Sequence, residues 1–147
     1  MQLKAWLTGL LLAASFPAAA TLGEDASSVS ADQKQMEGTL QITDAGRFAV
    51  HEIRLPSGTA VKEYASPAGL VFAVSWQGPS LPDLQQTLGR YFEQYIAAAR
   101  AQGPGRGSRA IQQPGLVVQS EGHMRAFFGR AYVPQMLPPG VAAEDIR

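Results

Sequence analysis

From Thr39 onward, apolar and polar side chains alternate in short runs that are separated by turn sequences. A period of two is typical of half-buried β-strands. The pattern predicts strands at 39–43, 48–55, 60–65 and 70–76. Turns at 44–46, 56–59 and 66–69 contain the Pro and Gly residues that preset a negative φ or permit a positive one. This part of the chain therefore predicts an antiparallel meander.

The last of these runs is rich in β-formers and has two different faces. One face is expected to carry the large residues Leu70, Phe72, Val74 and Trp76. The other face is expected to carry the smaller Val71, Ala73 and Ser75.

The period changes after Pro79. Ser80 is a candidate N-cap, Asp83 completes a capping-box-like pair, and Pro82 falls in the first turn, where proline is tolerated. Apolar residues then recur at helical spacing: Leu84, Leu88, Tyr91, Phe92, Tyr95, Ile96 and Ala99. This stripe predicts one amphipathic helix of about five turns, which ends near Ala101.

A second β-region follows a Gly-rich loop at 103–109. The pattern predicts strands at 116–120 and 123–133 with a turn at Glu121 and Gly122, and a final helical turn within 141–147. The predicted fold class is α+β: a curved antiparallel β-sheet, built from a meander and then a hairpin, packed against one long amphipathic helix.

The first twenty residues have the pattern of a secretory signal peptide. Lys4 precedes an apolar run of about a dozen residues, shorter than the roughly 20 that a membrane-spanning helix needs. Pro17 ends the run, and Ala18 and Ala20 supply the small residues of a cleavage site. We therefore expect a cleaved signal peptide at 1–20, a polar lead-in at 21–38 and a single domain at 39–147. The mature protein is expected in the periplasm or the extracellular space, without a transmembrane segment.

The composition and the net charge exclude several kinds of chemistry and partner. The chain has no cysteine, which excludes disulfides, thiol chemistry and a lipoprotein anchor. Its formal net charge is zero, so it has no general attraction for nucleic acid, which is not an expected partner. A core of one small domain is what this length can bury.

Candidate chemistry is sparse. The two histidines, His51 and His123, can be paired with Glu52 as half a metal site or as an acid–base set. A third ligand at a recognised spacing is missing, and no serine lies in a nucleophile motif, so we expect neither a cofactor nor a catalytic residue. Arg106 and Arg109 in the Gly-rich loop form a candidate anion patch.

The aromatic residues offer a different kind of site. Trp76, Tyr95 and Phe128 are candidates to line a cavity for a small apolar ligand between helix and sheet, with Trp76 at its rim. The alternative is that these side chains only fill the core.

Several runs of residues carry a resemblance to a known family. They are VHEI (50–53), LPSGT (55–59), EY (63–64), SPAG (66–69), VFAVSWQGP (71–79), LPDL (81–84), GHMRAF (122–127) and GRAYVP (129–134). In this order they resemble a family of exported proteobacterial proteins, the domain of unknown function 2844. The resemblance implies export and a single domain, and it implies no activity.

The sequence thus favours a non-catalytic binding or interaction module that takes a protein partner or a small apolar ligand. A metal-binding protein or hydrolase-like enzyme that uses His51, Glu52 and His123 is one alternative, and a structural component of the cell envelope is another.

Overall fold

The computed structural model describes residues 21–105 and 108–147, so the predicted signal peptide with Ala18 and Ala20, and Arg106, lie outside the described residues. The described residues form one seven-stranded sheet in which all pairings are antiparallel. Its strands are β1 (Thr39–Asp44), β2 (Ala49–Arg54), β3 (Ala60–Ala65), β4 (Val71–Gly78), β5 (Arg109–Gln113), β6 (Leu116–His123) and β7 (Ala126–Tyr132). The α+β class and the four-stranded meander are confirmed.

The strand order is β1-β2-β3-β4-β7-β6-β5. After β4 the chain crosses to the far edge of the sheet and returns strand by strand until β7 pairs with β4. The predicted hairpin is therefore a three-stranded meander, because β5 lies where no strand was predicted. Ile111 is the one buried residue of β5, so this edge strand has no apolar alternation to reveal it. The predicted turn at Glu121 and Gly122 is wrong, since β6 and β7 are joined at Met124 and Arg125, which both have positive φ.

Within residues 21–105 and 108–147, three α-helices accompany the sheet: α1 (Val29–Gln35), α2 (Leu84–Leu88) and α3 (Phe92–Ala101). The predicted long helix comprises α2 and α3 with a 3-10 turn, Gly89–Tyr91, between them. Gly89 has a φ of 50°, and a Cβ there would lie 2.5 Å from Oγ1 of Thr21. The helix is thus interrupted where the N-terminal segment packs against it.

The cap of α2 also differs from the expectation. Asp83 is the N-cap, and its Oδ1 accepts hydrogen bonds from the backbone N–H groups of Gln85 and Gln86. Ser80 instead meets Thr59, whose Oγ1 donates to the Ser80 carbonyl oxygen at 2.8 Å. The Ser80 hydroxyl also lies 2.9 Å from Thr59 Oγ1, so it holds the loop to the residue before β3 instead of capping α2.

One side of the sheet, which we call the helix face, holds the main core. Val61, Val74 and Trp76 from the central strands pack there with Leu88, and the apolar stripe of α3 covers them. The polar lead-in also belongs to this core, since Leu22 is fully buried. Its backbone is tied to β4 by hydrogen bonds from the Gly23 N–H to the Val71 carbonyl and from the Val71 N–H to the Glu24 carbonyl.

The opposite side, which we call the groove face, is covered in part by the C-terminal segment, residues 134–147. Tyr64, Phe72 and Ala73 form a cluster there with Ile146, which the segment contributes. Phe72 was expected beside Val74 and Trp76, and this expectation is wrong. Ala65 pairs with Val71 whereas Tyr64 pairs with Ala73, so a β-bulge at this point moves Phe72 to the other face.

Within residues 21–105 and 108–147, no helix is both long enough and apolar enough to cross a bilayer.

Candidate functional groove

The groove face has an uncovered half in which polar side chains form two rows across the strands. Register places Lys62 opposite Glu52 on one side and Ser75 on the other, and Ser75 opposite Arg130. A second row runs through Ala60, Gln77, Phe128 and Glu121. Directly opposite residues on one face have Cβ atoms about 5 Å apart, so each row is a continuous line of contacts.

Two adjoining cavities lie over these rows. The larger has a volume of about 370 Å³ and is bounded by Phe128, Arg130 and Gln119 and by the end of the C-terminal segment. The smaller, of about 180 Å³, is bounded by Glu52, Arg54 and Lys62 among others. Trp76, Gln77 and Arg147 border both cavities, which therefore adjoin, and we call the two together the groove.

Arg130 links the groove to the C-terminal segment. Its Nε donates to Oε1 of Gln119 at 2.7 Å, and its Nη1 donates to the carbonyl oxygens of Ala143 and Ile146. Tyr64 holds the same segment from β3, because its hydroxyl accepts from the Arg147 N–H at 2.8 Å and donates to the Arg147 carbonyl. The C-terminal segment is thus the fixed wall of the groove.

Trp76 lies beneath the groove rather than at its rim. Its indole is 2% exposed and belongs to the helix face. Gly129 makes room for it, since a Cβ on this glycine would lie 2.4 Å from Cζ2 of Trp76. Phe128 and Arg130 point to the other face of β7, so Trp76 and Gly129 contribute the floor between them.

The other predicted ligand-binding residues do not meet at one place. Phe128 is half exposed and lines the groove. Tyr95 packs on the helix-face core. Arg109 lies on β5, where its Nη1 donates to the Ala99 carbonyl oxygen at 2.8 Å, and thereby anchors the end of α3.

The two histidines are not brought together. His51 lies on β2 and His123 at the end of β6, and β3, β4 and β7 separate these strands in the sheet. Neighbouring strands are about 4.8 Å apart, which separates β2 from β6 by roughly 19 Å, and the register displaces the two histidines further along the strands. Glu52, being next to His51 in a strand, points to the opposite face. Among the described residues no group of three or more potential ligands is placed to hold a metal ion.

The helix face instead contains a buried carboxyl pair that the sequence did not reveal. Asp32 of α1 is fully buried, and Glu63 of β3 is 2% exposed. Gln86 of α2 donates from Nε2 to Oδ1 of Asp32 at 3.3 Å. Register also places His51 directly opposite Glu63. Residues from four elements, α1, α2, β2 and β3, therefore meet at one carboxyl pair.

This carboxyl pair can be buried because Glu63 is protonated. Burial, and next the charge of Asp32, raise the pKa of Glu63 to about 9. Two ionised carboxylates have no donor to offer each other, whereas a protonated Glu63 donates a hydrogen bond to Asp32. Burial also lowers the pKa of His51, so this imidazole is neutral at pH 7. The pair is sealed from solvent and joins α1 to the sheet.

Of the functional residues that were not predicted, some had a signal in the sequence and others had none. Glu63 shares its strand face with Val61 and Ala65, so a carboxylate at an inward position was a readable signal. Arg130 and Gln77 gave none, because they become neighbours through the pairing of β4 with β7, strands distant in sequence.

The comparisons with known proteins place the chain in a family without naming an activity. No curated protein and no solved structure shows significant similarity to it. The family model described as protein of unknown function (DUF2844) matches residues 18–146. The match covers nearly the whole sequence, and the chain therefore belongs to the family of the domain of unknown function 2844.

Proposed function

We propose that the protein is exported and acts as a non-catalytic binding module, with the groove as its ligand-binding site. The observation that carries the proposal is the uneven cover of the sheet. The C-terminal segment covers the apolar half of the groove face, and its residues Ile146 and Arg147 border an open depression of about 370 Å³. Protein pockets that bind small molecules have volumes from about 300 Å³ upward, so this cavity has a suitable size.

The chemistry of the lining supports binding more than catalysis. Phe128 offers an exposed aromatic surface, and Gln77 and Gln119 offer amide groups that both donate and accept. These are the groups that orient a ligand. Ser75 also borders the smaller cavity, but it is only 3% exposed and its hydroxyl lies 3.2 Å from the Tyr64 hydroxyl, which favours a structural role for it. The buried carboxyl pair lies on the other face, closed to solvent, so it supports the fold.

Native mass spectrometry of the protein purified gently from its exported fraction tests the proposal. We expect an added mass that is retained under native conditions, lost on denaturation and reduced in Phe128→Ala. Met124→Ala is the matched control, because Met124 is 90% exposed and does not line the groove. A bare protein, or equal added mass in all three proteins, contradicts the proposal.

Export is proposed on the three-part pattern of the first twenty residues. The mature protein recovered from the exported fraction is expected to begin at Thr21, and its mass measures this. A protein that keeps residues 1–20, or one that stays in the cytoplasm, contradicts this part of the proposal.

A further inference from the structure

We propose that the ligand of the groove carries an anionic group beside a planar apolar group; this inference rests on the proposed function of the groove. Its basis is an excess of positive charge next to an exposed aromatic ring. The groove is lined by four cationic residues and two acidic ones. The cationic residues are Arg54, Lys62, Arg130 and Arg147, and the acidic ones are Glu52 and Glu121.

Only one of these cations is neutralised by a neighbouring side chain. Arg54 and Glu52 form an ion pair at 2.7 Å. Within the described part of the chain, no carboxylate side chain lies within 4 Å of Lys62, Arg130 or Arg147. Lys62 donates to the main-chain oxygen of Arg147 at 3.1 Å, so it does not count as a free cation. The uncompensated positive charge along the wall of the groove is therefore that of the Arg130 and Arg147 guanidinium groups.

Arg130 is held in a fixed orientation, but the charge of its guanidinium is not neutralised. Its hydrogen-bond partners, the Gln119 amide and two backbone carbonyls, are all uncharged. They fix the orientation of the guanidinium and leave its charge available to an anion. A planar, preorganised guanidinium is well suited to carboxylate and related anions.

The spacing between charge and ring suggests the size of the ligand. Phe128 and Arg130 are alternate residues of β7 and share one face, so their Cα atoms lie about 7 Å apart. An aromatic or similar planar group of one or two rings, with its anionic substituent at one end, spans this distance. Glu121 sits beyond Phe128, opposite it on β6, at the other end of the groove from Lys62. A ligand with its anion toward Arg130 and Arg147 avoids this acidic end.

Two probes of equal shape and different charge test the inference. The exported protein is titrated by calorimetry at low salt with naphthalene-2-carboxylate and with the neutral naphthalene-2-carboxamide. We expect the carboxylate to bind at least about tenfold more tightly. This preference is expected to shrink as salt is added, because the cations are partly exposed.

Three variants locate the effect. Gln77→Glu places a carboxylate on the border of both cavities and is expected to remove the preference while the carboxamide still binds. Phe128→Ala is expected to weaken both probes. Lys34→Gln removes an exposed cation from α1, which packs on the helix face, and is expected to change neither affinity.

The outcomes distinguish the preference for an anion from the proposed role of the groove as a binding site. Equal affinities for both probes, both lost in Phe128→Ala, overturn the charge inference and leave the groove as a binding site. Failure of both probes to bind overturns the inference together with the proposed function.

Discussion

The two faces of the sheet are covered by different elements and to different extents. The helix face is closed by α1, α2 and α3, and even its charged residues, Asp32 and Glu63, are buried. The groove face is closed only over its apolar half, by a segment without α-helix. Its other half keeps cationic, amide and aromatic groups accessible. The helix face is covered over its central strands, although Ile42 at the β1 edge is 60% exposed, and its buried residues serve the fold. The open half of the groove face is the site that we propose for a ligand.

The largest expected difference between the faces concerns their aromatic residues. Trp76→Ala is expected to destabilise the protein by about 3–5 kcal/mol, because it leaves a cavity in the core. Phe128→Ala on the neighbouring strand is expected to cost less than about 1 kcal/mol, because Phe128 is already half exposed. Urea denaturation of both variants measures the two effects. Similar losses of stability would show that the groove is part of the core.

The buried carboxyl pair gives the helix face a distinctive dependence on pH. The pKa of Glu63 is raised to about 9 from an ordinary value of 4.5, so folding binds a proton between these pH values. This contribution to stability is complete below pH 4.5 and is lost as the pH rises through 9. Between pH 7 and 9 wild type is expected to lose at most about 1.4 kcal/mol per pH unit.

Glu63→Gln isolates this effect, because glutamine can donate to Asp32 at every pH. The variant is expected to lose stability less steeply than wild type between pH 7 and 9. The low pKa of His51 keeps this imidazole from contributing in that range. Parallel pH profiles of wild type and variant, obtained from denaturant midpoints, would show that Glu63 does not take up a proton on folding.

A more local effect is expected in the C-terminal segment. Tyr64→Phe removes a hydroxyl that bonds both the N–H and the carbonyl of Arg147, and is expected to cost about 1–2 kcal/mol. Hydrogen exchange should become faster in residues 134–147 before it does in the central strands. Tyr132→Phe is the control, a change on the same face at a hydroxyl without a hydrogen bond to any described residue. Unchanged exchange in Tyr64→Phe would mean that other contacts hold the segment.

Local patterns were sufficient to predict most of the sheet. Strand β3 was predicted with its observed bounds, because Pro and Gly turns flank a short alternating run on both sides. Such signals depend on residues close in sequence. Strand β5 was missed because a single inward residue, Ile111, carries its core contact.

Errors arose where distant segments meet. The bulge at Tyr64 and Ala65 reverses the orientation of Phe72, and no local alternation reports it. The break at Gly89 depends on Thr21, which lies far away in the chain. The groove could not be predicted for the same reason. Phe128 was named as a ligand-binding candidate, but the residues around it assemble only when β7 pairs with β4.

That pairing has a consequence for how the chain folds. β1 to β4 form one set of sequential hairpins and β5 to β7 another, so most strand contacts are local in sequence. The seam between β4 and β7 is the exception, and it closes a large loop that contains α2 and α3. Long-range closure costs chain entropy before its contacts repay it, so we expect the closing of this seam to be the slow step of folding. The groove straddles the seam, and its two walls are therefore expected to come together only when the seam closes.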